Sequence, residues 1–258
     1  MKALVLSAGI GERLRPLTET VPKPLVEVGG RPLIHYPLLM LKHAGIREIA
    51  INTHYLPRAM EAVLGTGARL GIDIIWAPEP TLLGTGGPLN GLRGFLGTDT
   101  FVIANCDTIL DLQLNEALRF HRDRGALVTL ALARPENLDS YSQIELDSEA
   151  RVRRIRLLKS RSPLNYDDFA KEPLSEARLD SFMYCGVIIA EPAVLDRIPP
   201  SPPWSMMSGL IAPMVREGLP VMGFRHRGLM RTIDDLSTYE KVRAEFASNP
   251  PLLSFLSS

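Results

Sequence analysis

The stretch LSAGIGERLRPLTETVPKPL, Leu6 to Leu25, leaves an apolar run and turns at once to glycine, charge and proline. Gly9 and Gly11 allow positive φ angles and let backbone N–H groups come close to an anion. Arg13 and Lys23 add two fixed positive charges, and Pro22 and Pro24 restrict the backbone on either side of the lysine. A lysine held in that way is oriented at modest entropic cost. The chemistry implied is the holding of phosphates. A dinucleotide fingerprint does not fit, because the third glycine is missing and Pro16, Pro22 and Pro24 keep a helix from opening directly after the loop. A Walker A loop does not fit either, for lack of G-K-[ST]. An ordinary strand-to-helix turn is the plainer use of the same glycines.

A second group able to do chemistry closes the run FVIANCD, Phe101 to Asp107. An acid where a buried parallel strand runs out lies on the ligand-binding edge of such a sheet. Facing phosphate oxygens, Asp107 suits Mg²⁺, a cation held by one or two carboxylates together with phosphate and water. A turn or N-cap aspartate is the alternative. Cys106 and Cys185, the two cysteines, have small or apolar neighbours and suit a reduced core rather than a disulfide framework.

The elements that must carry these groups follow from periodicity. Strands are expected over 2–6, 48–52, 73–77, 101–105 and 126–133, with helices over 33–44, 57–64, 88–96 and 114–124 between them. Apolar strands alternating with helices predict a parallel sheet covered on both faces. The fold class is α/β: a Rossmann-like, doubly wound, mixed but mostly parallel sheet, with a small β-rich portion later in the chain. Past Pro135 the rhythm changes to a hairpin over 142–146 and 152–157, an irregular polar stretch over 158–181 and a strand over 182–190. Helices are expected over 193–198, 208–217 and 238–247, and a strand over 220–225. The expected organisation is one domain, 1–258, in two halves, 1–135 and 136–258, the second closing with the C-terminal helix.

Lysine and arginine number 29, as do aspartate and glutamate, so the 258 residues carry no net charge. A sequence-wide attraction to nucleic acid or to an anionic membrane is therefore excluded, and an anion site must be local. MKALVLSAG lacks the apolar core of a signal peptide, and no run is apolar enough to span a bilayer; a cytoplasmic protein is expected. Trp204 and Met206-Met207 suit core packing or an apolar partner surface.

GERLRPLTETVPKPLVEVGGRPLI, from Gly11 onward, resembles the signature of the sugar-1-phosphate nucleotidyltransferases, G-x-G-x-R-(L/M)-x-P-L-T-x-x-x-P-K-P. The resemblance implies that Ala8, Gly9, Gly11 and Glu12 form a nucleotide loop, that Arg13 holds the triphosphate and that Lys23 contacts the reacting phosphates. INTHYL, Ile51 to Leu56, is similar to the family's V-N-x-x-Y-L and brings in Asn52. PEPTLLGTGGPL, Pro78 to Leu89, resembles E-x-x-x-L-x-T-G-G, whose backbone lies against the base, and brings in Glu79, Gly84, Thr85, Gly86 and Gly87. The three glycines equally suit a helix-opening turn. The TGG form is similar to N-acetylmuramate-1-phosphate uridylyltransferases and bacterial mannose-1-phosphate guanylyltransferases. UTP is therefore expected ahead of GTP.

Asn105 and Asp107 match the family's N-G-D, with Cys106 in place of the glycine. YSQI resembles Y-G-x-V and assigns Tyr141 and Ser142 to the sugar phosphate, as YCGV does Gly186. Lys171-Glu172-Pro173 resembles an E-K-P element with its charges reversed. The family's second metal aspartate, in W-x-D-I-G-T-P-x-x-Y, aligns with Thr232. Asp234, two residues on, is the substitute ligand expected here, about 6–7 Å away along an extended chain. Otherwise Mg²⁺ rests on Asp107 alone or catalysis is lost, and Asp235 could simply cap the last helix. The implied reaction joins an NTP and a sugar 1-phosphate into an NDP-sugar and pyrophosphate. The alternative is a catalytically impaired relative that binds nucleotide or NDP-sugar as a regulatory or partner-binding subunit. A Rossmann dehydrogenase is disfavoured, since no acid falls cleanly about twenty residues after the loop. The length leaves no room for a β-helix tail, and a monomer or small homo-oligomer is expected.

Overall fold

The structure, a computed structural model, describes residues 1–158, 166–170 and 179–256. In chain order the elements are β1 (Lys2–Leu6), β2 (Glu27–Val28), β3 (Arg31–Pro32), α1 (His35–His43) and β4 (Glu48–Thr53). Next come α2 (Pro57–Leu64), β5 (Asp73–Pro78), α3 (Pro88–Leu96), β6 (Phe101–Asn105) and β7 (Thr108–Leu110). These are followed by α4 (Leu114–Asp123), β8 (Val128–Ala133), β9 (Gln143–Leu146), β10 (Val152–Leu158) and β11 (Tyr166–Ala170). The chain continues through β12 (Asp180–Ala190), α5 (Ala212–Glu217), β13 (Val221–Arg225), β14 (Met230–Thr232) and α6 (Leu236–Ser248). Pro57 and Pro88 open α2 and α3, at positions where a missing N–H costs nothing. The fold is α/β and Rossmann-like, built on a mixed sheet.

Two compact units divide the chain. The first comprises Met1–Leu82, Val102–Leu114 and Gly228–Ser258. Its strands lie in the order β6-β1-β4-β5, with β1 parallel to β4 and β4 parallel to β5. Ala3, Leu4, Val5, Ile49, Ala50 and Ile51 are fully buried, as expected of strands covered on both faces. Tyr36 on α1 meets Phe246 on α6 edge-on, ring centroids 6.1 Å apart. The Tyr36 hydroxyl donates to the Val28 carbonyl, which satisfies the one polar atom of a buried ring. Tyr239, Val242 and Phe246 form the buried stripe of α6.

β7 and β14 form an antiparallel ribbon pairing Thr108 with Thr232 and Leu110 with Met230. Neither strand was expected: three residues are too few for an alternating pattern to register.

The second unit comprises Leu83–Phe101 and Asn115–Arg227. β12 runs antiparallel to β9 through its first residues and to β8 through the rest, and β13 lies parallel to β8. The β9–β10 hairpin turns at Asp147, whose carboxylate accepts the N–H groups of Glu149 and Arg151. The stretch 158–181 had been expected to be irregular. Instead 166–170 is a strand, β11, antiparallel to β10, and β12 begins at Asp180. Lys171-Glu172-Pro173 lies outside the described residues. The helix expected over 208–217 is present, its first part a π-helical stretch, Met207–Ile211, that runs straight on into α5. No helix among the described residues is long and apolar enough to cross a membrane.

Candidate active site

In the first unit the glycine loop leaves β1 under tight control. Asn52, at the end of β4, accepts the Ser7 N–H on Oδ1 at 2.7 Å and donates through Nδ2 to Glu79 Oε1 at 2.7 Å. The Ser7 hydroxyl donates to the Asn52 carbonyl, and the Glu79 N–H donates to the Thr53 carbonyl at 2.7 Å. Asn52 and Glu79 are both buried. Their polar atoms tie the ends of β1, β4 and β5 together, so these two candidates act here as a brace immediately before Ala8.

Beyond the brace the loop turns at Gly11, whose φ of 74° is left-handed. Its carbonyl accepts the Leu14 N–H and the Thr18 hydroxyl, the latter at 2.8 Å. A Cβ on Gly11 would lie 3.0 Å from the Lys23 Cβ and 3.1 Å from the Thr18 methyl. Gly9 meets nothing within 4 Å on its corresponding side. Glu12 and Arg13 are exposed. Lys23 starts a 3₁₀ turn with Pro24 and Leu25, pinned by the Leu25 N–H on the Pro22 carbonyl and the Ile34 N–H on the Pro24 carbonyl.

Lys23 Nζ reaches Asp107 Oδ2 at 2.7 Å. Arg13 lies at 3.7 Å from Asp234 Oδ1. Two cations from the loop thus meet two acids, one past β6 and one past β14. Burial pushes the Asp234 carboxyl above its usual value; Asp107 nearby adds to that push, while Lys23 and Arg13 oppose it. The two acids are therefore close enough to feel each other, and the two cations keep their charge in check.

The pairing of β7 with β14 explains how Asp234 arrives there. Thr232 faces Thr108 across the ribbon, and the Ile233 N–H donates to the Asp107 carbonyl at 2.9 Å. Asp235 is the N-cap of α6: its carboxylate accepts the Thr238 N–H at 2.9 Å in a capping box. Of the uses open to the acids in the sequence, Asp235 takes the helix cap and Asp234 faces Arg13. Asn105 is half-buried at the end of β6.

The remaining candidates belong to the second unit. Gly84 and Thr85 are exposed, whereas Gly86 and Gly87 are buried. One side of this segment is filled by Trp204: the Gly86 N–H donates to the Trp204 carbonyl at 3.0 Å, and the Trp204 N–H donates to the Leu83 carbonyl at 3.1 Å. Thr85 Oγ1 accepts the Met206 N–H at 2.8 Å, and the indole N–H donates to Asn90 Oδ1 at 2.9 Å. A Cβ on Gly86 would fall inside the indole ring's van der Waals envelope. Trp204 is buried, the core use foreseen for it. Ser142 Oγ accepts the Leu158 N–H at 3.0 Å, Tyr141 is half-buried, and Gly186 lies where β12 shifts register against β8. Burial pushes both thiols, Cys106 and Cys185, up to about 12, which keeps them protonated and unreactive.

The loop, the lysine and the acids read in the sequence thus converge in one unit. Sequence reading missed Ser7, Thr18, Thr238 and the Trp204 contact, because hydroxyls bonding to local backbone and a tryptophan far along the chain leave no periodic signal.

Comparison with known proteins places the chain in a family. A family model described as nucleotidyl transferase matches residues 2–156. The chain belongs to the nucleotidyl transferase family. It is 44% identical over 120 residues to an N-acetylmuramate alpha-1-phosphate uridylyltransferase of Neisseria meningitidis, covering 46% of this chain and 52% of that protein. It is 38% identical over 150 residues to a mannose-1-phosphate guanylyltransferase of Mycobacterium tuberculosis, covering 58% of this chain and 42% of that protein. The chain spans about half the length of the curated relatives it matches. In fold it is similar to the crystal structure of a putative glucose-1-phosphate thymidylyltransferase from Bacillus anthracis. The TM-score is 0.77 at 17% identity, covering 100% of this chain and 99% of that one.

Proposed function

We infer that this family member transfers a nucleotidyl group from an NTP to a sugar 1-phosphate, releasing pyrophosphate. The observation that carries the reading is the convergence of Arg13, Lys23, Asp107 and Asp234, two cations and two acids around one glycine loop. Such a set suits a triphosphate whose charge must be neutralised while one phosphorus is attacked.

A sugar-phosphate oxygen forms the new bond to the α-phosphorus, and the bond from that phosphorus to the β-bridging oxygen breaks. The nucleophile is already ionised, so no general base is needed. Arg13 stabilises the charge gathering on the departing pyrophosphate, and Lys23 offsets repulsion between the two reacting phosphates. Glycine-loop N–H groups at Gly9 and Gly11 add fixed dipoles toward the same anion.

The donor set fits Mg²⁺. Two neighbouring carboxylates suit an ion that takes its other ligands from phosphate and water, and the third acid nearby, Asp235, is engaged as the helix cap. Asp107 and Asp234 would hold the ion, with Asp234 serving in place of the aspartate that Thr232 replaces. When bound, Mg²⁺ would supply charge neutralisation across the phosphates.

The resemblance supports assigning the base to Gly84–Gly87 and the sugar phosphate to Asn105, Tyr141, Ser142 and Gly186. UTP is favoured over GTP on the TGG segment; the relatives include enzymes named for each nucleotide. Pyrophosphate release measured across UTP, GTP and a panel of sugar 1-phosphates with Mg²⁺ tests the reading. Release with UTP and one sugar phosphate is expected. Nucleotide-dependent thermal stabilisation without any release would overturn catalysis and favour the binding-only relative that Thr232 suggests.

A further inference from the structure

The main chain of Asp234 is fixed from both directions. On one side Ile233 is fully buried and donates its N–H to the Asp107 carbonyl, directly after the Thr232–Thr108 pair. On the other side stands Thr238, on the first turn of α6. Its Oγ1 accepts the N–H of Asp234 at 3.0 Å and that of Asp235 at 3.0 Å. The same hydroxyl lies 2.9 Å from the Asp235 carbonyl oxygen, to which it donates. A hydroxyl has one donor and two acceptor positions, so all three are committed to these two residues.

A helix cap needs much less than this. The Asp235 carboxylate on the Thr238 N–H is by itself the cap. The contact that the cap does not require is the one from Thr238 Oγ1 to the Asp234 N–H. With that bond made, the Asp234 backbone is held between the β7–β14 ribbon and α6, and its carboxylate has only its own two torsions left to choose a direction.

We propose that Thr238 is a positioning residue for the acidic pair: its hydroxyl fixes the Asp234 backbone so that the carboxylate faces Arg13 and the divalent-ion site. The proposal rests on the reading of Asp107 and Asp234 as ligands given above. Outer partners that orient metal ligands commonly govern metal affinity by about 10–100-fold.

The test is Mn²⁺ binding by the whole chain, read by electron paramagnetic resonance in the presence of a non-hydrolysable UTP analogue, without turnover. Thr238→Val keeps the side chain's shape but leaves both N–H groups unbonded, and should weaken Mn²⁺ about tenfold or more. Thr238→Ser restores the hydroxyl and should return the affinity to that of the parent. Asp235→Ala removes the cap but leaves the hydroxyl on the Asp234 N–H. It should lower the melting temperature and leave Mn²⁺ binding close to that of the parent. Parent-like affinity in Thr238→Val, or an equal loss in Asp235→Ala, overturns the proposal, since Thr238 would then only cap the helix. Parent-like affinity in Asp234→Asn overturns it differently, by removing the ligand role beneath it. That outcome is told apart by pyrophosphate release in the parent, which it leaves untouched.

Discussion

Lys23 Nζ lies 2.7 Å from Asp107 Oδ2, although the two residues are separated by 84 positions in the chain. The lysine comes from a proline-flanked turn and the acid from the end of β6, so the ion pair is a product of tertiary structure alone. Lys23 is mostly buried and Asp107 about one-third exposed. Each partner therefore keeps the other's charge tolerable while both stay within reach of a ligand. Lys23→Met and Asp107→Asn should each lower the rate of pyrophosphate release by about 10²–10³. Far-ultraviolet circular dichroism should be unchanged. Near-parent turnover in either variant would sink the assignment of the reacting phosphates to this pair.

Gly11 offers a test of the loop itself. Its φ of 74° disfavours any side chain, and a Cβ would press on the Lys23 Cβ at 3.0 Å. Gly11→Ala should destabilise the chain by about 1–2 kcal/mol through left-handed backbone strain. The pressure on Lys23 should raise the KM for the nucleotide more than it lowers stability. Gly9→Ala is the control, since space is open there. It should change the urea midpoint little, and equal effects of the two substitutions would refute the distinction.

β1, α2, α3 and β6 were legible with their bounds because continuous apolar strands and proline-led helices write directly into periodicity. Arg13, Lys23 and Asp107 stand out in the sequence by type and neighbours, and the structure brings Lys23 to Asp107 and Arg13 to Asp234. Asp234 was legible only as one of several options. What decided its place is the β7–β14 ribbon, three residues on each side, and one hydroxyl on Thr238, neither of which forms a pattern. The TGG segment was read for its glycines, but the reason they are glycines includes Trp204, a long-range contact invisible to local reading.

His121, in the second unit, supplies a pH dependence of its own. It is buried on α4, with Nδ1 2.8 Å from the Thr129 hydroxyl and Nε2 3.0 Å from Glu191 Oε1, which also accepts the Thr100 hydroxyl at 2.7 Å. Burial lowers its pKa from 6.5; Glu191 works against that shift, and Arg122 adds to it. The depressed value means the unfolded chain takes up the proton first. The stability from this group is present above about pH 6.5 and is lost as pH falls through the folded value. The urea midpoint should therefore drop between pH 7 and pH 5. His121→Gln, which keeps hydrogen bonding but cannot titrate, should flatten part of that slope. An unchanged slope in the variant would assign the acid limb to other groups.

Gly86 and Trp204 should behave as one unit in stability. The indole occupies the space a Gly86 Cβ would need, and it is tied down by the Gly86 N–H on its own carbonyl and by its N–H on Asn90. Gly86→Ala alone should cost about 1–3 kcal/mol by overpacking. Trp204→Ala alone should cost about 3–5 kcal/mol by emptying a buried site. In the double variant the clash has gone, so the added methyl should cost far less than it does in the parent. The coupling in a double-mutant cycle should then amount to at least about 1 kcal/mol of relief. Strict additivity in chemical denaturation would mean that Gly86 is small for the sake of its backbone or of a ligand. The indole would then have no part in setting the form of the TGG segment.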